Sequence, residues 1–433
     1  MPKAIAALLL AFTLLASVQT NIAAAGLQSY VDRSESAFAW TATDKEIHPR
    51  GTLYKLHLVS QLWQGITWEH EIRVYVPVRN DTPRTMLLFI TGDSSRGFDD
   101  ERGLQMANAL HASYAILYDV PNQPLLDGKN EDDLIAETFV RFLTTGDEDW
   151  PLLMPMTKSA VKAMDALQAF AAQELKQPVQ SFVVTGASKR GWTSWLAAAV
   201  DPRVKAIAPM VFDMLNIPTQ LAHQLNSWGG LSEMLRPYMQ PGLPNFLGSP
   251  AGQRLLELVD PYAYRDELGL PKLLILGTND RYWTLDAPNL FWSELGGAKY
   301  LRYVPNVGHG LGERDRWIDS MTCFFRSVAA SKSLPHMRWT FEPLDDQLQL
   351  TLQSEPAART ISIWSAQSPT RDFRKAEWTS KSLSAKKQPV RASVPISSTD
   401  FTAVFAELRY ESDGQACAFT TQVNIQPPKQ AAQ

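Results

Sequence analysis

The sequence predicts an α/β fold, a mostly parallel sheet with helices on both faces, followed by a small C-terminal β-sandwich. Three observations carry this expectation. Short uncharged apolar runs, at residues 86–90, 182–184 and 273–276, alternate with stretches of helical period, the pattern of strands buried on both faces. One run ends in a tight turn, Gly186-Ala187-Ser188-Lys189-Arg190-Gly191, that opens directly into a helix. From about residue 334 the texture changes to short runs of alternating polarity, as in antiparallel sheets with one wet face.

Taken in order, residues 1–25 read as a secretory signal peptide. Lys3 precedes an apolar segment over 5–18, and Ala23-Ala24-Ala25 before Gly26 has the small-residue cleavage form. The apolar run is short for a bilayer span, so no stable membrane insertion is expected after cleavage. Export leads to an oxidising compartment, where Cys323 and Cys417 form one disulfide or remain two buried thiols. Residues 26–52 read as a polar arm. Strands are expected at 53–59, 69–76 and 86–90, a helix at 101–113, a strand at 114–118, and helices at 131–143 and 155–175. The strand over 181–184 leads to Ser188, and further strands fall at 205–211, 272–276 and 300–304. Between them, about 213–264 breaks into Pro- and Gly-containing pieces, an insertion over the carboxyl edge of the sheet, where open α/β folds bind ligands. A helix at 314–330 closes the first domain, 26–333. The β-sandwich domain covers 334–425, with strands at 339–341, 348–352, 360–365, 401–410 and 419–425. A disordered tail is expected over 426–433. The formal net charge of -4 argues against nucleic acid as a partner.

The strand–turn–helix around Ser188 has the form of a nucleophile elbow, in which a strained turn lifts a hydroxyl above the sheet edge. Gly186 sits two before the serine. The usual second glycine, two after it, is replaced by Arg190, and the glycine follows at Gly191. A helix N-capped by Ser188 is the plainer alternative. A serine nucleophile needs a base and an orienting acid, in the chain order Ser, Asp or Glu, His. Of seven histidines only His223, His309 and His336 follow Ser188. His223 lies in the insertion and His336 opens the β-rich region. His309 follows a late strand in a glycine-flanked loop, which makes it the expected base. Asp280, just past the 272–276 strand, is the expected acid. Asp286 is the second choice, placed where it could instead cap a helix. The oxyanion hole is expected from the Lys189 amide and from the loop after 86–90, at Gly92 or Asp93. Lys189 and Arg190 set two cations in a first helical turn, against the macrodipole. Asp93, Asp119 or Asp213 could balance them, or an anionic group on a substrate, which makes Arg190 a candidate substrate contact. No metal-ligand spacing occurs and no cofactor is called for.

With these residues placed, the chain resembles the PhoPQ-activated pathogenicity-related proteins, exported bacterial proteins. The carrying stretches are Tyr30-Val31 with Phe38-Ala39-Trp40, Ser60-Gln61-Leu62-Trp63, Val120 to Leu125, Trp150 to Ala160, Gly186 to Thr193, and Thr370-Arg371-Asp372-Phe373-Arg374. The resemblance implies an α/β-hydrolase fold, supports Ser188, Asp280 and His309 as a triad, and implies a periplasmic or secreted location. It supplies no substrate. An ester or amide of a small molecule or peptide is expected. A peptidase linked to virulence or antimicrobial-peptide resistance, and a non-catalytic binding protein on the same scaffold, stand as alternatives. The turn also looks like the G-C-S-R-x-G elbow of glucuronoyl esterases, in which the cation after the serine helps hold the oxyanion. Lys189 matches that place and Ala187 replaces the cysteine.

Overall fold

The computed structural model describes residues 26–429 except 98, 386–387 and 413. The expected leader and residues 430–433 of the expected tail lie outside the described residues. A helix at residues 26–32 (α1) precedes an antiparallel meander of β1 (Ala39–His48), β2 (Gly51–Trp63) and β3 (Ile66–Pro77). β1 corrects the expectation of a polar arm. It is an edge strand with no buried residue, so its charged sequence, which hides it from hydropathy, is also what discourages pairing with another chain.

Beyond β3 the spatial order is β5 (Tyr114–Leu117), β4 (Thr85–Ile90), β6 (Ser181–Ala187), β7 (Val204–Met210), β8 (Lys272–Gly277) and β9 (Lys299–Val304). These six are mutually parallel, and β8 is buried at every position, as the apolar run Leu273 to Leu276 requires, with Lys272 at its start donating to the Gly296 carbonyl at 2.6 Å. The helices between them are α2 (Asp100–Leu110), α3 (Glu131–Thr145), α4 (Leu153–Phe170) and α5 (Lys189–Val200). Residues 211–271 carry α6 (Ile217–Trp228), α7 (Arg236–Met239) and α8 (Pro250–Val259). Asp260 closes this excursion on itself. Its buried carboxyl accepts from the amides of Asn216, Ile217 and Tyr262 at 3.2, 2.7 and 2.9 Å. Burial, partly opposed by those bonds, pushes its pKa up to about 6.

The C-terminal strands do not stand apart. After α9 (Ile318–Ala329) come β10 (His336–Leu344), β11 (Gln347–Glu355), β12 (Thr360–Ser368), β13 (Thr379–Leu383), β14 (Val390–Pro395), β15 (Phe401–Ser412), β16 (Gln415–Thr420) and β17 (Asn424–Gln426). β16 pairs with β9 through Thr420 and Leu301, so the large sheet continues through β16, β15, β12 and β13. β10, β11 and β14 form a second sheet. Leu350 and Leu352 of β11 share one core with Ile361 and Ile363 of β12 and Leu408 of β15. The two parts are also joined by the buried pair Arg302–Glu407 and by a disulfide, Cys323–Cys417, from α9 to β16.

Several stretches that carry the family resemblance meet in one buried polar network. Tyr30 donates to Gln61 at 3.1 Å, and the Gln61 amide donates to the Pro155 carbonyl at 2.7 Å and to Ser159 at 3.0 Å. Ser60 bridges Ser159 at 3.0 Å and His70 at 2.9 Å. A satisfied network of this kind fixes one register between the meander and α4. Burial lowers the His70 pKa to about 4, so its place in the network is that of a neutral imidazole. Among the described residues, no helix is long and apolar enough to cross a membrane.

Candidate active site

Ser188 joins β6 to α5 with φ 56° and ψ -121°. A non-glycine residue there carries about 1–3 kcal/mol of strain. The turn is held by the Ser188 amide on the Met210 carbonyl at 2.9 Å and by the Trp192 amide on the Ser188 carbonyl at 3.0 Å. It makes no side-chain cap, which removes the N-cap alternative. A Cβ on Gly186 would lie 2.7 Å from the Arg190 backbone, and one on Gly191 3.0 Å from the Met210 carbonyl. Both glycines are therefore packing requirements, and the displaced second glycine serves the contact with β7.

Arg190, expected as a candidate substrate contact, has its guanidinium committed to the protein's own groups. It is 6% exposed. Its Nε donates to the Val120 carbonyl at 2.5 Å, and its two terminal nitrogens grip the Glu131 carboxylate at 2.7 and 2.6 Å. A Cβ on Gly92 would fall 1.4 Å from that guanidinium, so Gly92 is glycine because the arginine crosses its loop. Lys189 Nζ lies 2.7 Å from Asp132 and 3.5 Å from Glu131. The two cations are thus balanced by the first turn of α3, not by Asp93, Asp119 or Asp213. Burial would raise the Glu131 carboxyl, but Arg190 outweighs it and holds the pKa down at about 2. Sequence reasoning missed Glu131 and Asp132. They were visible only as ordinary first-turn acids of a helix.

Asp280 and His309 come together. Nδ1 of His309 donates to Oδ2 of Asp280 at 2.8 Å, and Oδ1 accepts the Tyr282 amide at 2.8 Å. Nε2 of His309 is buried and bonds to nothing among the described residues. The Tyr282 ring packs on the imidazole, centroids 4.2 Å apart. Tyr282 and Ser188 line one cavity, and no hydrogen bond joins Ser188 to His309 among the described residues. Asp286, the second choice for the acid, meets a different histidine. It binds His223 Nε2 at 2.8 Å and Arg371 at 2.5 Å and makes no side-chain cap. Asp213 shares a small pocket with Asp280. Burial first, and the Asp280 charge second, push its carboxyl well above the usual range.

Of the expected oxyanion donors, the Asp93 amide is already on Thr91 Oγ1 at 3.2 Å. The Gly92 amide makes no backbone bond among the described residues, and the Lys189 amide opens α5, where helical N–H groups lack intrahelical partners. The loop 370–378 reaches back onto the loops that carry Asp280 and His309. Asn279 donates to the carbonyls of Phe373, Arg374 and Ala376 at 3.3, 3.3 and 2.7 Å. Asn306 and Trp378 exchange two bonds of 2.9 and 2.7 Å.

A cavity of about 100 Å³ opens beside Ser188. Its walls come from α3, α5, the 211–271 segment and the turn after β8, with Phe139, Trp192, Phe212, Leu221, Leu256 and Trp283 among them.

A strained serine elbow on the carboxyl edge of a mostly parallel sheet is the mark of the α/β-hydrolase fold, and this chain has that fold. The family model of the PhoPQ-activated pathogenicity-related proteins matches residues 27–374, and the chain belongs to that family. It is 32% identical over 388 residues to autocrine proliferation repressor protein A of Dictyostelium discoideum, covering 83% of this chain and 78% of that one. Among solved structures, an acetyl xylan esterase from Paenibacillus sp. R4 is 14% identical, with a TM-score of 0.50 over 70% of this chain and 92% of that one. Acetyl xylan esterase 1 from Thermoanaerobacterium sp. JW/SL YS485 has a TM-score of 0.48 at 14% identity, over 72% and 93%. The likeness to the Paenibacillus esterase is one of fold.

Proposed function

We propose that the protein is an exported serine hydrolase that cleaves a carboxylic ester, or an amide, through an acyl-enzyme on Ser188. The observation that carries this reading is the Asp280–His309 bond, which commits Nδ1 and leaves Nε2 as the basic nitrogen. His309 takes the Ser188 proton as the hydroxyl attacks the carbonyl carbon, then returns it to the leaving oxygen or nitrogen. Asp280 holds the tautomer and stabilises the imidazolium. The amides of Lys189 and Gly92 receive the oxyanion. Water then attacks the acyl-enzyme by the same route. Export is supported by the apolar leader and by the disulfide. The name of the Dictyostelium relative, an autocrine proliferation repressor, fits action outside a cell. The test is turnover of p-nitrophenyl esters by purified protein, with loss on both Ser188→Ala and His309→Ala.

A second reading, a binding protein on this scaffold, is favoured by the missing Ser188–His309 bond. It requires that Ser188→Ala leave ligand binding intact and that the unmodified protein turn over no ester.

A further inference from the structure

The cavity beside Ser188 is walled almost wholly by hydrocarbon, and most of its polar groups are already engaged. Lys189 Nζ is on Asp132 at 2.7 Å. The two Asp132 oxygens accept Tyr238 at 2.8 Å and Tyr282 at 3.1 Å, and the Trp192 indole donates to the Val259 carbonyl at 2.5 Å. Of the hydroxyl and charged side chains in the wall, Ser188 alone is without such a partner among the described residues. A sugar or a charged group entering here would find few free partners and would lose its hydration. Hydrocarbon would gain by burial. Met239 and Phe246, which line the same space, are 42% and 47% exposed, so the apolar surface runs out to the solvent.

We infer that the substrate carries an apolar hydrocarbon group on the order of four to six carbons next to the scissile carbonyl, and that this cavity receives it. The inference rests on the serine hydrolase reading. The lower figure follows from size, since a dry cavity of about 150 Å³ takes a six-carbon ring and this one is about 100 Å³, and the upper figure from its opening past Met239 and Phe246. Burying one methylene multiplies kcat/KM roughly fourfold.

Two ester series test it. One varies the acyl side from ethyl acetate through butyrate and hexanoate to decanoate, and the other varies the alcohol from ethyl acetate to hexyl acetate. The expected result is a rise of about 10-fold or more from two carbons to four, a maximum at four to six and a fall at ten, in whichever series places the chain in the cavity. Leu221→Trp, at the half-buried rim, should move the maximum back toward acetate. Calorimetric titration of Ser188→Ala with ethyl hexanoate and ethyl acetate reads binding without turnover, and only hexanoate should give heat. Equal kcat/KM for acetate and hexanoate in both series, with Ser188-dependent turnover, would overturn the inference and leave the hydrolase reading standing. No turnover, together with preferential binding of hexanoate, would sink the hydrolase reading and keep the apolar site. Equal binding of both esters by Ser188→Ala would overturn the site itself.

Discussion

His309 and Asp280 are joined by a 2.8 Å bond from Nδ1 to Oδ2, while Asp286 binds His223. The two aspartates of one turn thus serve different histidines. Asp280→Asn should preserve the fold and lower kcat on the order of 10⁴-fold, as loss of the orienting carboxylate does in other triads. Asp286→Asn should leave kcat nearly unchanged and cost about 1–3 kcal/mol of stability, because the buried Asp286 carboxylate binds the half-buried His223 and Arg371. Steady-state kinetics and denaturant unfolding on both variants separate the roles. Full activity in Asp280→Asn with loss in Asp286→Asn would reverse them.

Asn279 precedes Asp280 and binds three carbonyls of the 373–376 segment. Asn279→Ala leaves those carbonyls without their donor. The acid loop should then wander, lowering kcat more than it raises KM, with about 1–3 kcal/mol lost in stability. Unaltered kcat in a destabilised variant would show that the clamp holds the fold and not the site.

The contrast between Asn279 and Asp280 shows what was readable in advance. Asp280, His309 and Ser188 each follow a short apolar run, because strands buried on both faces leave that signature and the fold puts its chemistry at their ends. The partners of Arg190 and Lys189 were not readable. Glu131 and Asp132 lie far away in sequence, and only the packing of α3 against α5 brings them there. Of the loop 370–378, residues 370–374 were visible as a resemblance and as nothing else, since the loop's work is done by backbone carbonyls, which carry no sequence signal. β1 and β13 escaped because polar, exposed strands depend on the neighbour they bond to, not on burial.

Glu131 makes a prediction about acid. Its carboxyl is held at about 2 against an ordinary 4.5, so the folded state binds its proton more weakly than the unfolded chain. The stability it contributes is fully present above pH 4.5 and is lost as pH falls toward 2. Glu131→Gln should therefore be less stable at neutral pH and show a flatter decline across that window, read from urea midpoints between pH 7 and 2. Parallel declines in the two proteins would contradict this.

The Cys323–Cys417 bridge closes a span of 94 residues and ties α9 to β16. Cys323→Ser should cost on the order of 2–4 kcal/mol, measured by denaturant unfolding. Reducing the unmodified protein should reproduce the loss, and reductant should have no effect on the variant.

The central claim is that Ser188 is the nucleophile. A fluorophosphonate reagent followed by peptide mass mapping tests it most directly, because the reagent needs an activated serine and marks the residue it meets. The result expected is one adduct, on Ser188, absent from Ser188→Ala and strongly slowed in His309→Ala. An adduct that persists in Ser188→Ala, or a folded protein that takes up no reagent, would contradict it.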